Sequence, residues 1–141
     1  MSKNPYQYSA VSYDIEVQVR PFYAKEFSDP FLHKYVYMYT VKIFNKSEDV
    51  IKLINRKWHI IEEDGSHSSI EGEGVVGQQP IIKAKNGRFE YTSQAILYTK
   101  SGLMYGEYSC KKIEKNNEII NIKIPAFSLD LSSDIHQANL S

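Results

Sequence analysis

The sequence is poor in cysteine and has no long apolar run, and both absences narrow the class of protein. Its 141 residues include one cysteine, Cys110, so an internal disulfide is impossible. The first residues lack the apolar core of a secretory signal peptide, and no apolar run is long enough to span a bilayer. We therefore expect a cytoplasmic protein that has no membrane as a partner.

The chain also lacks an excess of charge of either sign. Seventeen basic and seventeen acidic side chains cancel to a formal net charge of +0. A neutral chain has no general electrostatic attraction for nucleic acid or for anionic lipid. The composition therefore predicts no nucleic-acid partner.

Helical spacing of apolar residues is absent as well, and period-two alternation takes its place. Residues 11–19 alternate between apolar and polar side chains, which predicts one strand with a buried face. Turn signals such as Asp64-Gly65 and Asn86-Gly87 recur about every ten residues, as in sandwiches and barrels. The sequence thus predicts an all-β fold, an antiparallel immunoglobulin- or fibronectin-III-like β-sandwich of about seven strands.

Residues 11–131 are predicted to form one sandwich domain, between a flexible segment at 1–10 and a flexible tail at 132–141. Within it, Ile51 and Leu53 have odd parity whereas Trp58 has even parity. All three can face the core only if a bulge or break intervenes near residues 55–57.

Residues 21–34 mix turn residues with aromatic side chains. Phe27 and Phe31 are costly to leave in water, so this loop is expected to fold back onto the body of the protein. The alternative is an aromatic surface that binds a partner.

The segment Gly72-x-Gly74-x-x-Gly77 matches the dinucleotide fingerprint, in which a tight turn delivers pyrophosphate to a helix N-terminus. No helix is predicted after it, so the alternative is a glycine-shaped connection between strands. An anion bound here would need basic side chains folded over it, and Gly74→Val is expected to abolish binding while leaving the fold intact. The candidate anion or nucleotide site comprises Gly72, Gly74, Gly77, Lys83 and Arg88, with Lys85 as a further cation.

A second candidate site is a weak one for a divalent metal at a predicted hairpin tip. It comprises Glu62, Glu63, Asp64 and His67. Carboxylate oxygens suit such an ion, but the alternative is an ordinary solvated turn. No close ligand pairs of a zinc site, no Gly-x-Ser-x-Gly elbow and no cofactor motif are visible, so we predict neither catalysis nor a cofactor. Cys110 is interpreted as a small buried apolar residue.

Five motifs in order resemble the ApaG family, also called CorD, and together they cover residues 13–131. The motifs are Arg56-x-Trp58; Gly72-x-Gly74-Val75-Val76-Gly77-x-Gln79-Pro80; Phe89-x-Tyr91-x-Ser93; Gly102-x-Met104-x-Gly106-x-Tyr108; and Pro125-Ala126-Phe127-Ser128-Leu129-Asp130. The chain departs from the family pattern at Gln94, Ile96 and Lys100. We expect Trp58, Tyr91, Tyr108 and Phe127 to be structural anchors of the core.

The resemblance implies a single fibronectin-III-like sandwich, which occurs alone in bacteria and attached to F-box and polymerase-interacting proteins. The attached forms imply protein binding, and the bacterial name implies a loose link to cobalt and magnesium handling. The leading hypothesis is a non-enzymatic binding or adaptor module with an unidentified protein partner. The alternative is a protein that binds a small anion, pyrophosphate or a nucleotide through its glycine loop.

Overall fold

The computed structural model describes residues 8–132, which form nine antiparallel strands in two sheets. The strands are β1 (Tyr8–Ser12), β2 (Ile15–Tyr23), β3 (Tyr35–Asn45), β4 (Ile51–Glu62), β5 (His67–Glu73), β6 (Ile81–Ile82), β7 (Gly87–Leu97), β8 (Gly102–Lys112) and β9 (Glu118–Leu129). Two short 3-10 helices, Lys25–Phe27 and Pro30–Leu32, connect β2 to β3. Among the described residues, no helix is long and apolar enough to cross a membrane.

The first sheet has the strand order β1-β2-β3-β7, and the second has the order β5-β4-β8-β9 with β6 beside β4. Their inner faces bury a single apolar core. At its centre the Trp58 ring lies 5.2 Å from the Tyr39 ring and 5.9 Å from the Phe127 ring, centroid to centroid, both edge-on. The predicted antiparallel β-sandwich is confirmed, with nine strands where about seven were expected.

The prediction of one strand over residues 11–19 is wrong, because β1 and β2 form a hairpin. Ser12 pairs with Ile15, and the two residues between them, Tyr13 and Asp14, have φ of 53° and 61°. Two-residue hairpin loops with both residues at positive φ usually carry Asn or Gly, and this one carries neither. The strand β1 begins at Tyr8, three residues before the predicted domain boundary, whereas residues 1–7 and 133–141 lie outside the described residues.

A bulge in β4 resolves the change of parity, as predicted, one residue before the expected position. The register between β4 and β8 shifts between Leu53 and Asn55, so Ile54 is the extra residue. Leu53 and Trp58 are consequently both buried in the core. A bulge is the local device by which a strand changes the face that it presents.

The expectation that the aromatic side chains of residues 21–34 pack onto the body holds for Tyr23 but is wrong for Phe27 and Phe31. Tyr23 is buried, 5.2 Å from the Tyr37 ring. Phe27 is 62% exposed and Phe31 is 97% exposed. Phe27 and Phe31 are thus exposed, as the alternative requires, whereas the binding of a partner by this surface stays a prediction.

We predict that Trp58→Ala lowers the free energy of unfolding by about 3 to 5 kcal/mol, because it removes a large buried aromatic and leaves a cavity. Ile119→Ala is a matched control, since Ile119 is a large apolar residue that is more than half exposed. Urea denaturation followed by circular dichroism measures both. A loss for Trp58→Ala no larger than that of Ile119→Ala would contradict the central role of the indole.

Candidate functional site

The glycine loop joins β5 to β6, which lie end to end along the same edge of β4. Strand β5 pairs with β4 as far as Asn55, and β6 resumes the pairing at Lys52. Between them, the Gly74 amide donates to the Ile54 carbonyl oxygen at 2.7 Å, and the Leu53 amide donates to the Pro80 carbonyl oxygen at 3.0 Å. The loop is therefore an excursion from one interrupted strand, located opposite the bulged residue Ile54.

The tip of the glycine loop is a tight turn and not the start of a helix. Val75 and Gln78 exchange two backbone hydrogen bonds of 2.8 and 2.9 Å, while Val76 and Gly77 between them have φ of 43° and 79°. Val75 is fully buried and anchors the turn. The amides of Gly74, Val75 and Gln78 thus donate within the protein, so a phosphate would have to replace existing hydrogen bonds to use them.

Arg56 clamps the glycine loop to β4. Its Nη1 donates to the carbonyl oxygens of Glu73 and Gly74, both at 2.9 Å. Gly72 lies directly opposite Arg56, and a Cβ at Gly72 would come within 2.7 Å of the guanidinium. The guanidinium occupies the space that a side chain at position 72 would need, so a larger residue there would have to displace Arg56.

The same guanidinium lies near a group of buried tyrosines at the sheet interface. Burial raises the pKa of Tyr39 and of Tyr91, and the positive charge of Arg56 partly offsets this rise in both. The Tyr91 and Tyr108 hydroxyls are hydrogen-bonded to each other, which satisfies both phenols inside the core. All four predicted structural anchors are buried: Trp58, Tyr91, Tyr108 and Phe127.

A cavity of about 470 Å³ borders the glycine loop on the outer face of the second sheet. Lys57 contributes a cationic group to its lining, and Asn55, Ser109 and Asn121 contribute neutral polar groups. Three carboxylates complete the lining, those of Glu71, Glu73 and Glu107. The Glu71 carboxylate lies 3.5 Å from the Lys57 ammonium. This mixed lining suits a polar ligand and opposes a densely charged anion.

The cations predicted to cover the glycine loop have contacts elsewhere. The Lys85 ammonium lies 3.8 Å from a Glu48 carboxylate oxygen. The Arg88 guanidinium lies over the Phe44 ring of the first sheet, 5.2 Å from its centroid. Lys83 is exposed just after β6. The predicted anion site with Lys83 and Arg88 therefore stays a prediction, and the cation that contacts the glycine loop is Arg56, which sequence reasoning assigned no such role.

The side chains of the predicted metal site each have a separate partner. Glu62 Oε1 accepts from the Tyr98 and Thr99 amides at 2.7 and 2.9 Å, which ties the β4–β5 hairpin to the β7–β8 loop. Glu63 accepts from the Ser101 hydroxyl, and Asp64 accepts from Ser66. No three potential ligands are grouped to hold a metal in residues 8–132. The metal site, like the cobalt and magnesium link, stays a prediction.

His67 turns towards another histidine instead. Its Nε2 lies 3.2 Å from Nδ1 of His59 on β4. Sequence spacing could not pair these two residues, because the contact follows from the register of β4 against β5. Cys110 is fully buried, and burial raises the pKa of its thiol to about 12, as expected of an inert core cysteine.

The two positive-φ glycines of the loop differ in the space around them, and this predicts unequal effects on stability. Gly77→Ala should cost about 1 kcal/mol, because only the left-handed backbone penalises its Cβ. Gly74→Ala should cost more, because its Cβ would also lie 2.0 Å from the Gln78 carbonyl oxygen. Urea denaturation of both variants measures the difference, and equal losses would contradict it. The expectation that Gly74→Val leaves the fold intact is wrong for the same steric reason.

Comparison with known proteins agrees with the motifs. The family model described as the ApaG domain matches residues 25–112. Protein ApaG of Agrobacterium fabrum is 46% identical over 123 residues, which are 87% of this chain and 92% of that protein. Protein ApaG of Mesorhizobium japonicum is 44% identical, covering 88% of this chain and 93% of its own. The crystal structure of the ApaA protein from Bordetella pertussis matches with a TM-score of 0.78 and 38% identity over 84% of this chain and 94% of that chain. The chain described here belongs to the ApaG family.

Proposed function

We propose that this chain is a non-enzymatic protein-binding module of the cytoplasm and that it binds its partner through Phe31 and Leu32, here called the apolar tip. The observation that carries the proposal is exposure: Phe31 is 97% exposed and the adjacent Leu32 is 73% exposed. Single exposed apolar residues are common on protein surfaces, but two adjacent large ones at the tip of one loop form a local anchor. Aromatic side chains that become buried when a complex forms often dominate the energetics of protein interfaces.

Hydrogen bonds hold the apolar tip in one conformation. Asp29 and Lys34 exchange backbone hydrogen bonds of 2.8 and 3.0 Å and close a loop around the tip. Ser28 secures the base of this loop, since its hydroxyl donates to the Ala24 carbonyl oxygen and accepts from the Val36 amide. A tip that is ordered before binding loses little conformational entropy when it enters a partner.

The chemistry of the apolar tip defines the partner that fits it. A phenyl ring and an isobutyl group need an apolar groove, which protein partners supply between packed helices or at a sheet edge. The proposed partner is therefore a protein with an apolar groove wide enough for both side chains. The chain's formal net charge of +0 agrees with a contact that depends on apolar burial.

The test begins with a photoreactive phenylalanine analogue at position 31 and, as a control, the same analogue at the exposed Tyr13. We expect a crosslinked protein from position 31 only. With that protein purified, Phe31→Ser should weaken its binding by about thirtyfold, the equivalent of a hot-spot loss of about 2 kcal/mol. The free energy of unfolding of Phe31→Ser should change by no more than about 0.5 kcal/mol, because the ring is already in water.

Three outcomes would contradict the proposal. They are equal crosslinking from position 13, unchanged affinity in Phe31→Ser, and binding of the unmodified chain to neutral phospholipid vesicles that Phe31→Ser abolishes. The third would identify the apolar tip as a membrane anchor. Crosslinking between two copies of this chain would identify the partner as a second protomer. Light scattering would then measure the molar mass of a dimer.

The cavity beside the glycine loop favours a second candidate function, the binding of a small anion, pyrophosphate or a nucleotide. Support comes from Lys57, which lines the cavity next to Gly72. The opposing features are the three carboxylates of the same lining. A ligand with one or two negative charges and several hydrogen-bonding groups fits this mixture better than free pyrophosphate does.

NMR titration of labelled protein with pyrophosphate and with a mononucleotide tests this second function. If it is correct, saturable shifts should be confined to the amides of Gly72, Glu73 and their neighbours across β4. Lys57→Gln should reduce the affinity, whereas Lys85→Gln, which removes a cation paired elsewhere, should not. Unmoved resonances at millimolar ligand would leave the glycine loop with a purely architectural role.

A further inference from the structure

His59 and His67 lie side by side on the outer face of the second sheet. His59 alternates with the buried Trp58 on β4, so its side chain projects away from the core. His67 opens β5 and lies diagonally across from it, because His59 pairs with Ser69 and His67 pairs with Ile61. Diagonal neighbours of this kind are close enough for long side chains to meet.

The two imidazoles point their nitrogens at each other. His59 Nδ1 and His67 Nε2 are 3.2 Å apart, and the ring planes are inclined by only 14°. On the neighbouring strand β8, the Tyr105 ring stacks against His59, with the two ring centroids 4.8 Å apart and the planes 15° from parallel. His59 is therefore held between two aromatic neighbours, while His67 is exposed to solvent on an edge strand.

We propose that His59 and His67 form a two-histidine chelating site for a borderline divalent ion such as Zn²⁺ or Cu²⁺. Two imidazole nitrogens bound tetrahedrally to one zinc ion at about 2.0–2.1 Å are separated by about 3.3 Å. The separation in this structure is 3.2 Å, close to that value, and rotation of the imidazole rings would turn both lone pairs towards one ion. Imidazole nitrogen is a preferred ligand of zinc and copper, whereas magnesium and calcium prefer oxygen ligands.

The hydrogens of the two neutral rings can be arranged for chelation without a change in the charge of either ring. In the metal-free pair one imidazole carries the hydrogen of the N–H···N contact, and the other accepts it. Chelation requires that the donor ring place this hydrogen on its other nitrogen, so that both facing nitrogens offer lone pairs. Two neutral imidazoles then bind the ion, and each ring keeps its one hydrogen on the nitrogen that faces away from the metal.

The two histidines supply half of a four-coordinate shell, and the other positions take water or a group from another molecule. This arrangement separates the new site from the predicted one at the hairpin tip, where Glu62 and Glu63 already accept hydrogen bonds. The ligands of the new site are imidazole nitrogens and not carboxylate oxygens, and only His67 belongs to both sites. The proposal does not depend on the protein-binding function of the apolar tip.

Titration calorimetry of the full chain, free of any affinity tag, with zinc chloride at neutral pH tests the site. We expect saturable binding of one equivalent, and His67→Asn should weaken it about tenfold or more, as is usual when metal-site groups are removed. His33→Asn is the matched control, because His33 is another exposed histidine and Asn tolerates its left-handed φ of 52°. The control should bind zinc like the unmodified chain.

Location is tested separately by NMR of the histidine ring signals. Zinc should shift the imidazole resonances of His59 and His67 first, and removal of the ion by a chelator should reverse the shifts. No saturable binding at millimolar zinc, or an affinity that His67→Asn leaves unchanged, would overturn the proposal. So would equal loss in His33→Asn. Since His67 is exposed, its variant keeps the fold, and circular dichroism checks this.

Discussion

The bulge at Ile54 is the constraint on which the rest of the site depends. Leu53 and Trp58 on β4 must both face the core although their parity differs, and one extra residue between them is the way a strand achieves this. The bulge leaves the Ile54 carbonyl oxygen to accept from the Gly74 amide and the Gln79 side chain. The glycine loop docks on that oxygen, and Arg56, two residues further along, secures it.

Arg56 connects residues that belong to motifs far apart in the chain. Its guanidinium fills the space above Gly72, binds two carbonyl oxygens of the glycine loop and lies near the buried phenols of Tyr39 and Tyr91. A fingerprint that in another fold would hold pyrophosphate here shapes a connection between two short strands. The glycines are needed for a close approach and for two left-handed residues, and both needs are architectural.

The binding surfaces that we propose lie on three separate parts of the protein, each with its own chemistry. The apolar tip offers a phenyl ring and an isobutyl group on a loop closed by hydrogen bonds. The cavity beside Gly72 offers mixed charge, and the His59–His67 pair offers nitrogen ligands. A small sandwich can carry such sites without cost to its core, because its strands already satisfy the buried backbone.

The sequence by itself determined what depends on neighbouring residues in the chain. Period-two alternation identified an all-β fold, Asp64-Gly65 marked a hairpin, and the parity of Leu53 against Trp58 required the bulge. Tertiary structure alone decided what depends on pairing. The Tyr13-Asp14 turn carries no glycine to announce it, and Phe31 looked like a core residue. The contacts of Arg56 with Gly72 and of His59 with His67 arise from strand register, which places residues 16 and 8 positions apart side by side. Register is set by burial of a whole sheet face, a property that no local pattern contains.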